Sequence, residues 1–194
     1  MARAGLTADR LVAAGAKLAD EAGFEAVTAS ALARLFEVQV ASLYSHVQNT
    51  HDLRTRIALF ALDALAAKAS DAVAGRAGKD ALVALADAHR HFAIAHPGQF
   101  AASRYPLDAD TAARSGGARI VGLMRAVLRG YRLSEPDETH AVRLLGSVFL
   151  GFTSLELGGG FSHSAPEPQV SWARSLDAID TVLQSWPRAS PGPS

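Results

Sequence analysis

The sequence predicts an all-α protein of about nine helices. Three observations carry this expectation. Alanine, the strongest helix former, supplies 40 of the 194 residues. Apolar residues recur at spacings of three and four along most of the chain, the period of one helix face. No stretch sustains the alternation of β-branched residues that a half-buried strand requires.

The elements follow in order. A first helix spans Thr7 to Ala22, with Thr7 as its cap and Asp9 in the first turn, where negative charge is favoured. Leu11, Ala14, Leu18 and Ala22 line one face, and Gly23 is the expected stop. Thr28 caps a short helix from Ala29 to about Leu35. After a break at Phe36 to Val38, a second short helix runs from about Gln39 to Tyr44, with Leu43 as its core residue. Asn49 then caps a longer helix to about Val73, and Asp52 stands three residues on, as in a capping box. Helices are expected from Lys79 to His96, around Gln99 to Ser103, and from Asp110 to Arg129. Pro97 ends the first of these, because the residue before proline is pushed out of the helical region. Asp137 to Leu157 is the most apolar helix, and Gln169 to Trp186 is the last. The residues after Pro187 read as a disordered tail.

Composition excludes several classes. The chain carries 19 basic and 19 acidic residues, for a formal net charge of zero. A polybasic binder is excluded, so any DNA binding must come from a local arrangement. Cysteine is absent, which removes a disulfide scaffold, a zinc finger, an iron–sulfur site and a thiol nucleophile. No apolar run reaches the ~18 residues that span a bilayer, and Met1 to Leu6 lack an apolar signal core. The expectation is a soluble cytoplasmic protein that does not enter the membrane. No paired-carboxylate motif, nucleophile elbow or phosphate-cradling glycine loop appears, so no enzyme is expected. No two of His89, His91 and His96 are three or four residues apart, so neither a metal site nor a cofactor is expected.

The informative stretch runs from Val27 to Leu53, VTASALARLFEVQVASLYSHVQNTHDL. Two short helices joined by a tight turn, after a first helix, form a helix-turn-helix pattern. A recognition helix needs small or polar side chains at its start to enter the major groove. Gln39, Val40, Ala41 and Ser42 meet that need: glutamine pairs with adenine at two edges, and valine or alanine touches a thymine methyl. With Thr28, Leu32, Ala33, Val38, Leu43, Tyr44, His46, Val47, Asn49 and Leu53 in this order, the segment resembles the DNA-binding segment of the TetR family. Gly146 to Phe161, GSVFLGFTSLELGGGF, resembles more loosely one subgroup of that family.

The resemblance implies site roles. Thr28, Tyr44 and His46 would contact phosphates, Gln39 to Ser42 would read bases, and the start of the helix after Asn49 would offer backbone donors beside Thr50. It implies a DNA-binding domain over residues 1–48, a ligand-binding and dimerisation domain over 49–187, and a tail over 188–194. The partners would be a double-stranded DNA operator, a small apolar or amphipathic ligand, and a second copy packed through the last two helices. The ligand would meet His89, Phe92, Tyr105, Phe149, Phe152, Glu156 and Trp172, an aromatic set with a few polar groups. The implied activity is that of a repressor released by its ligand.

Two departures stand against the pattern. Glu37 occupies the turn where the family has glycine, and Thr50 stands where it has a phosphate-gripping lysine. Residues 1–56 hold six basic and six acidic side chains, so the nonspecific electrostatic pull on DNA is modest. Arg3, Arg10 and Arg54 could compensate. The same departures leave open a second reading, a helical ligand-binding module that has lost operator recognition.

Overall fold

The computed structural model describes residues 6–186. Ten α-helices and two single-turn 3-10 helices account for its regular structure among the described residues. The helices are α1 (Ala8–Ala22), α2 (Ala29–Phe36), α3 (Val40–Leu43), α4 (Thr50–Val73), α5 (Gly78–Ala95), α6 (Pro97–Ala102), α7 (Ala109–Ala113), α8 (Gly116–Leu128), α9 (Asp137–Leu157) and α10 (Pro168–Gln184). None is long and apolar enough to cross a membrane. The chain forms two compact units, residues 6–68 with 89–120, and 69–88 with 121–186. The tail expected over 188–194 and the candidate Arg3 lie outside the described residues.

Capping side chains set the starts of several helices. Thr7 Oγ1 accepts the Arg10 N–H at 3.3 Å, Thr28 Oγ1 that of Ala31 at 3.1 Å, and Asn49 Oδ1 that of Asp52 at 2.9 Å. Each cap satisfies one of the donors that a helix start leaves over. Asp108 caps α7 in the same way. Gly23 stops α1 at φ +88°, a conformation a side chain would resist.

The helix expected from Asp110 to Arg129 is broken in two, which brings the count to ten. Ser115 Oγ donates to the Ala112 carbonyl at 2.8 Å and accepts the Gly117 N–H at 3.1 Å, so it ends α7 and starts α8. Gly116 lies against the Leu62 carbonyl of α4, with no room for a Cβ. The break is therefore fixed by packing on α4, which local propensity does not register.

The first unit is built on Leu11, Leu32, Leu43, Leu53 and Ile57, all fully buried. Burying each such side chain contributes about 1.5–3 kcal/mol. Helix α6 closes on α1 at Gly98, where a Cβ would overlap the backbone of Ala19 and Asp20. His89 packs edge-on to Phe100, with ring centroids 5.5 Å apart, and burial pushes its imidazole down to about 4.

The second unit is held by aromatic and polar contacts. Trp172 is fully buried between Phe149, 6.0 Å away, and Phe152, 4.9 Å away, and its indole N–H donates to Asp87 at 2.7 Å. Arg125 binds Glu135, Glu138 and the Thr139 hydroxyl, joining α8 to the start of α9. The Tyr131 hydroxyl donates to buried Asp180 at 2.7 Å. Burial and that carboxylate hold the phenol well above its ordinary range.

Two stability predictions follow from this packing. Gly98→Ala forces α1 and α6 apart, which should cost about 3 kcal/mol. Calorimetry should then show a Tm lower by about 10 °C. Gly122→Ala, at an open position on α8, should leave Tm unchanged or raise it. The second prediction concerns acid. An unfolded histidine titrates near 6.5, whereas His89 in the fold titrates near 4. The unfolded chain therefore binds a proton that the fold refuses. Stability is full above about pH 6.5 and falls toward pH 4, by up to about 3 kcal/mol. Denaturant melts of His89→Gln should lose that part of the acid slope.

Candidate nucleic-acid interface

Helix α3 is a single turn. Of its four residues, Val40, Ala41 and Ser42 are exposed and only Leu43 is buried, at 0%. Leu43 pins the turn into the core and leaves the other side chains facing outward. Gln39 is the exposed N-cap, and its carbonyl accepts the Ser42 N–H at 2.9 Å. Tyr44 is 45% exposed and His46 is half-buried. Thr28, at the start of α2, is exposed. Its oxygen already accepts the Ala31 N–H, and its hydroxyl hydrogen is left to donate outward. Thr50, exposed, opens α4.

The turn between α2 and α3 closes on Glu37, at φ +54°, ψ +42°. The Val38 N–H reaches the Ala33 carbonyl at 3.0 Å and the Glu37 N–H reaches that of Arg34 at 3.2 Å. This is the double bond of a Schellman cap, whose left-handed position favours glycine. A glutamate there costs about 1 kcal/mol. The side chain is exposed, which adds a negative charge to the turn.

Electrostatics around α4 differ from the expected pattern in two ways. The Asp52 carboxylate reaches back to the Gln48 N–H at 2.8 Å, one residue beyond the expected capping-box partner, and accepts from Arg56 Nε at 2.8 Å. Burial raises the Asp52 pKa, but the bonds from Arg56 and Gln48 outweigh it and hold the group below the ordinary carboxylate range. The start of α4 thus carries its own anion beside its backbone donors. Arg54, expected as a compensating cation, turns inward. It donates to the Phe24 carbonyl at 3.2 Å and to Glu25 at 2.6 Å, and lies 4.7 Å from the Phe24 ring centroid.

Of the residues expected to meet a ligand, His89, Phe92 and Tyr105 belong to the first unit and Phe149, Phe152, Glu156 and Trp172 to the second. Phe149, Phe152 and Trp172 form one aromatic cluster, extended by Phe161 4.9 Å from Phe152. Glu156 is half-buried on the same helix as Phe149 and Phe152. Phe92 is buried, 5.3 Å from the His96 ring. Tyr105 packs against the helix-turn-helix core. Its ring meets Phe24 edge-on at 5.8 Å, and its hydroxyl lies 2.9 Å from His51 Nδ1 at the start of α4. Nothing in the local sequence marks that pair, whose members stand 54 residues apart.

Comparisons with known proteins match the chain over most of its length. Residues 82–179 match the tetracyclin repressor-like, C-terminal domain family. YobS, an uncharacterized HTH-type transcriptional regulator of Bacillus subtilis, is 35% identical over 155 residues, 79% of this chain and 80% of that protein. Rv0681 of Mycobacterium tuberculosis, of the same description, is 34% identical over 159 residues, 79% of this chain and 72% of that protein. Among solved structures, BioQ with its natural double-stranded DNA operator shares the fold, with a TM-score of 0.70, 23% identity, and coverage of 93% of this chain and 99% of that one. The chain belongs to the TetR family of helix-turn-helix transcriptional regulators.

Proposed function

We propose that the chain is a repressor that binds a double-stranded operator as a homodimer and is released by a small apolar or amphipathic ligand. The carrying observation is the outward face of α3, where Gln39, Val40, Ala41 and Ser42 are exposed around one buried anchor, Leu43. In this reading those four residues read base edges, Thr28, Tyr44 and His46 contact phosphates, and Thr50 meets the backbone at the start of α4. Residues 1–48 form the DNA-binding part and 49–187 the ligand-binding and dimerising part. The same fold in BioQ, solved with its DNA operator, supports the assignment. A regulator of this kind works on the chromosome, in the cytoplasm.

A two-fold pair of recognition turns must stand about 34–36 Å apart to enter successive major grooves. The dimer interface assigned here is the outer face of α9 and α10. Leu155 is 56% exposed and Val170 50%, and Leu150, Leu157 and Val182 are exposed as well. Positions Gly146 and Gly151 open to empty space, which suits close approach of a partner helix. Ligand contacts are assigned to Phe149, Phe152, Glu156 and Trp172, all of the second unit. Of the first-unit candidates His89, Phe92 and Tyr105, the last has its hydroxyl turned to His51. A ligand that binds one spacing of the recognition turns better than another lowers DNA affinity by that difference.

The inward turn of Arg54 and the acidic Glu37 favour the second reading, a ligand-binding module without operator recognition. Fluorescence anisotropy separates the two. The parent protein is offered duplexes from a random-sequence library, and the selected duplex is titrated against unselected DNA. The repressor reading expects selective, saturable binding. Its log–log salt dependence should fall with a slope of about −0.9 per phosphate contacted. The module reading expects no selection. Tyr44→Ala should weaken selected binding roughly tenfold by loss of a charge-assisted hydrogen bond, with the dimer intact on size-exclusion chromatography. Unchanged affinity would refute the docking. Glu37→Gly should raise both Tm and DNA affinity, because it relieves the left-handed turn and removes a charge that repels phosphate.

A further inference from the structure

One polar cluster of the first unit is used by neither the recognition face nor the assigned ligand contacts. Asp20, near the end of α1, receives three donors from the start of α6. The Gln99 N–H reaches Oδ1 at 2.8 Å, and Gln99 Nε2 reaches Oδ2 at 2.7 Å. His96 Nδ1 lies 3.0 Å from Oδ2, and because an ionised carboxylate only accepts, the imidazole N–H donates. Beside this cluster, Gly98 is in backbone contact with Ala19. Two adjacent residues of α1 thus grip His96, the N-cap of α6, and Gly98 and Gln99 in its first turn: Asp20 by polar bonds, and Ala19 through the missing side chain of Gly98.

The position of this latch in the chain gives it a further consequence. His96 is the residue between α5 and α6, since α5 ends at Ala95 and α6 begins at Pro97. Helix α5 begins among the residues of the second unit. On the other side, α1 carries Leu11, Val12, Ala16 and Ala19 in the same core that seats Leu32 and Leu43. We propose that Asp20 is a positioning residue for DNA recognition. By binding His96 and Gln99 it fixes α6 to α1, so that the frame holding α3 moves with the end of α5. This inference rests on the DNA-binding reading above. Asp20 touches no DNA; it sets the posture in which both recognition turns of a dimer reach their grooves together.

Hydrogen bonds to a charged group in a semi-buried site are the strong ones, and leaving such a group with the wrong partner costs more than removing it. Asp20→Asn keeps the shape but sets an amide NH2 against the donors of Gln99 and His96. The double variant Asp20→Asn, Gln99→Glu exchanges donor and acceptor across the pair and restores a bond.

The test uses the full chain and the duplex that the parent selects from a random-sequence library, with an unselected duplex alongside. Asp20→Asn should bind the selected duplex roughly tenfold or more weakly, while its binding to unselected DNA stays within about twofold. The double variant should recover most of the loss. A purely structural role would lower Tm and reduce both affinities in proportion, without moving their ratio. Gln99→Ala, which deletes one arm of the latch and keeps the charge, guards against a variant that does not fold, and should lower the same ratio. The inference is overturned if the ratio of selected to unselected binding is unchanged in both single variants, or if the swap leaves the loss in place. A parent that selects no duplex overturns the DNA-binding reading and this inference together. A parent that selects one while the variants match it overturns this inference alone.

Discussion

A four-residue helix cannot hold itself together. One turn fixes several backbone dihedrals for a single hydrogen bond, so such a helix is unstable in isolation. Helix α3 persists because Leu43 is sunk into the core made by Leu11, Leu32, Leu53 and Ile57. Everything outward-facing at the interface depends on that one anchor. With Leu43 inside, Val40, Ala41, Ser42 and Tyr44 must face solvent, and the small residues among them keep the backbone thin enough to enter a groove. The caps at Thr28 and Asn49 and the turn at Glu37 aim the elements on either side of it.

The interface gains little from bulk charge. Arg54 is committed to Glu25 and the Phe24 carbonyl, and Arg56 to Asp52. Arg54 joins α4 to the segment after α1, and Arg56 closes on its own helix. What faces outward on α3 and its ends is instead uncharged: Gln39, Val40, Ala41, Ser42 and Tyr44. Such groups give direction and selectivity more than nonspecific pull. In the proposed docking, geometry, more than charge, is the quantity that binding responds to.

Much of this was legible in the sequence, for a physical reason. Caps, stops and the anchor pattern are local: Thr7, Gly23, Thr28 and Asn49 act on residues within four positions of themselves. The same holds for Leu43 within its turn. The unforeseen contacts join residues far apart in the chain. Asp20 meets Gln99 across 79 positions and His51 meets Tyr105 across 54. No periodicity encodes such pairs, and Arg54, read as a DNA cation, is held by Glu25 29 positions away. The split between α7 and α8 has the same cause. The break is set by the Leu62 carbonyl of another helix, against which Gly116 packs. The family resemblance of residues 27–53 extended the reading to function, and the matched second half extended it along the chain.

The central claim is that α3 enters the major groove. Methylation protection on the selected duplex tests it directly, because guanine N7 lies on the major-groove edge. The account predicts two protected patches on one face of the duplex, centred about 10 base pairs apart or a multiple of that. Protection confined to minor-groove adenine N3, or binding that leaves guanine N7 fully reactive, would contradict it.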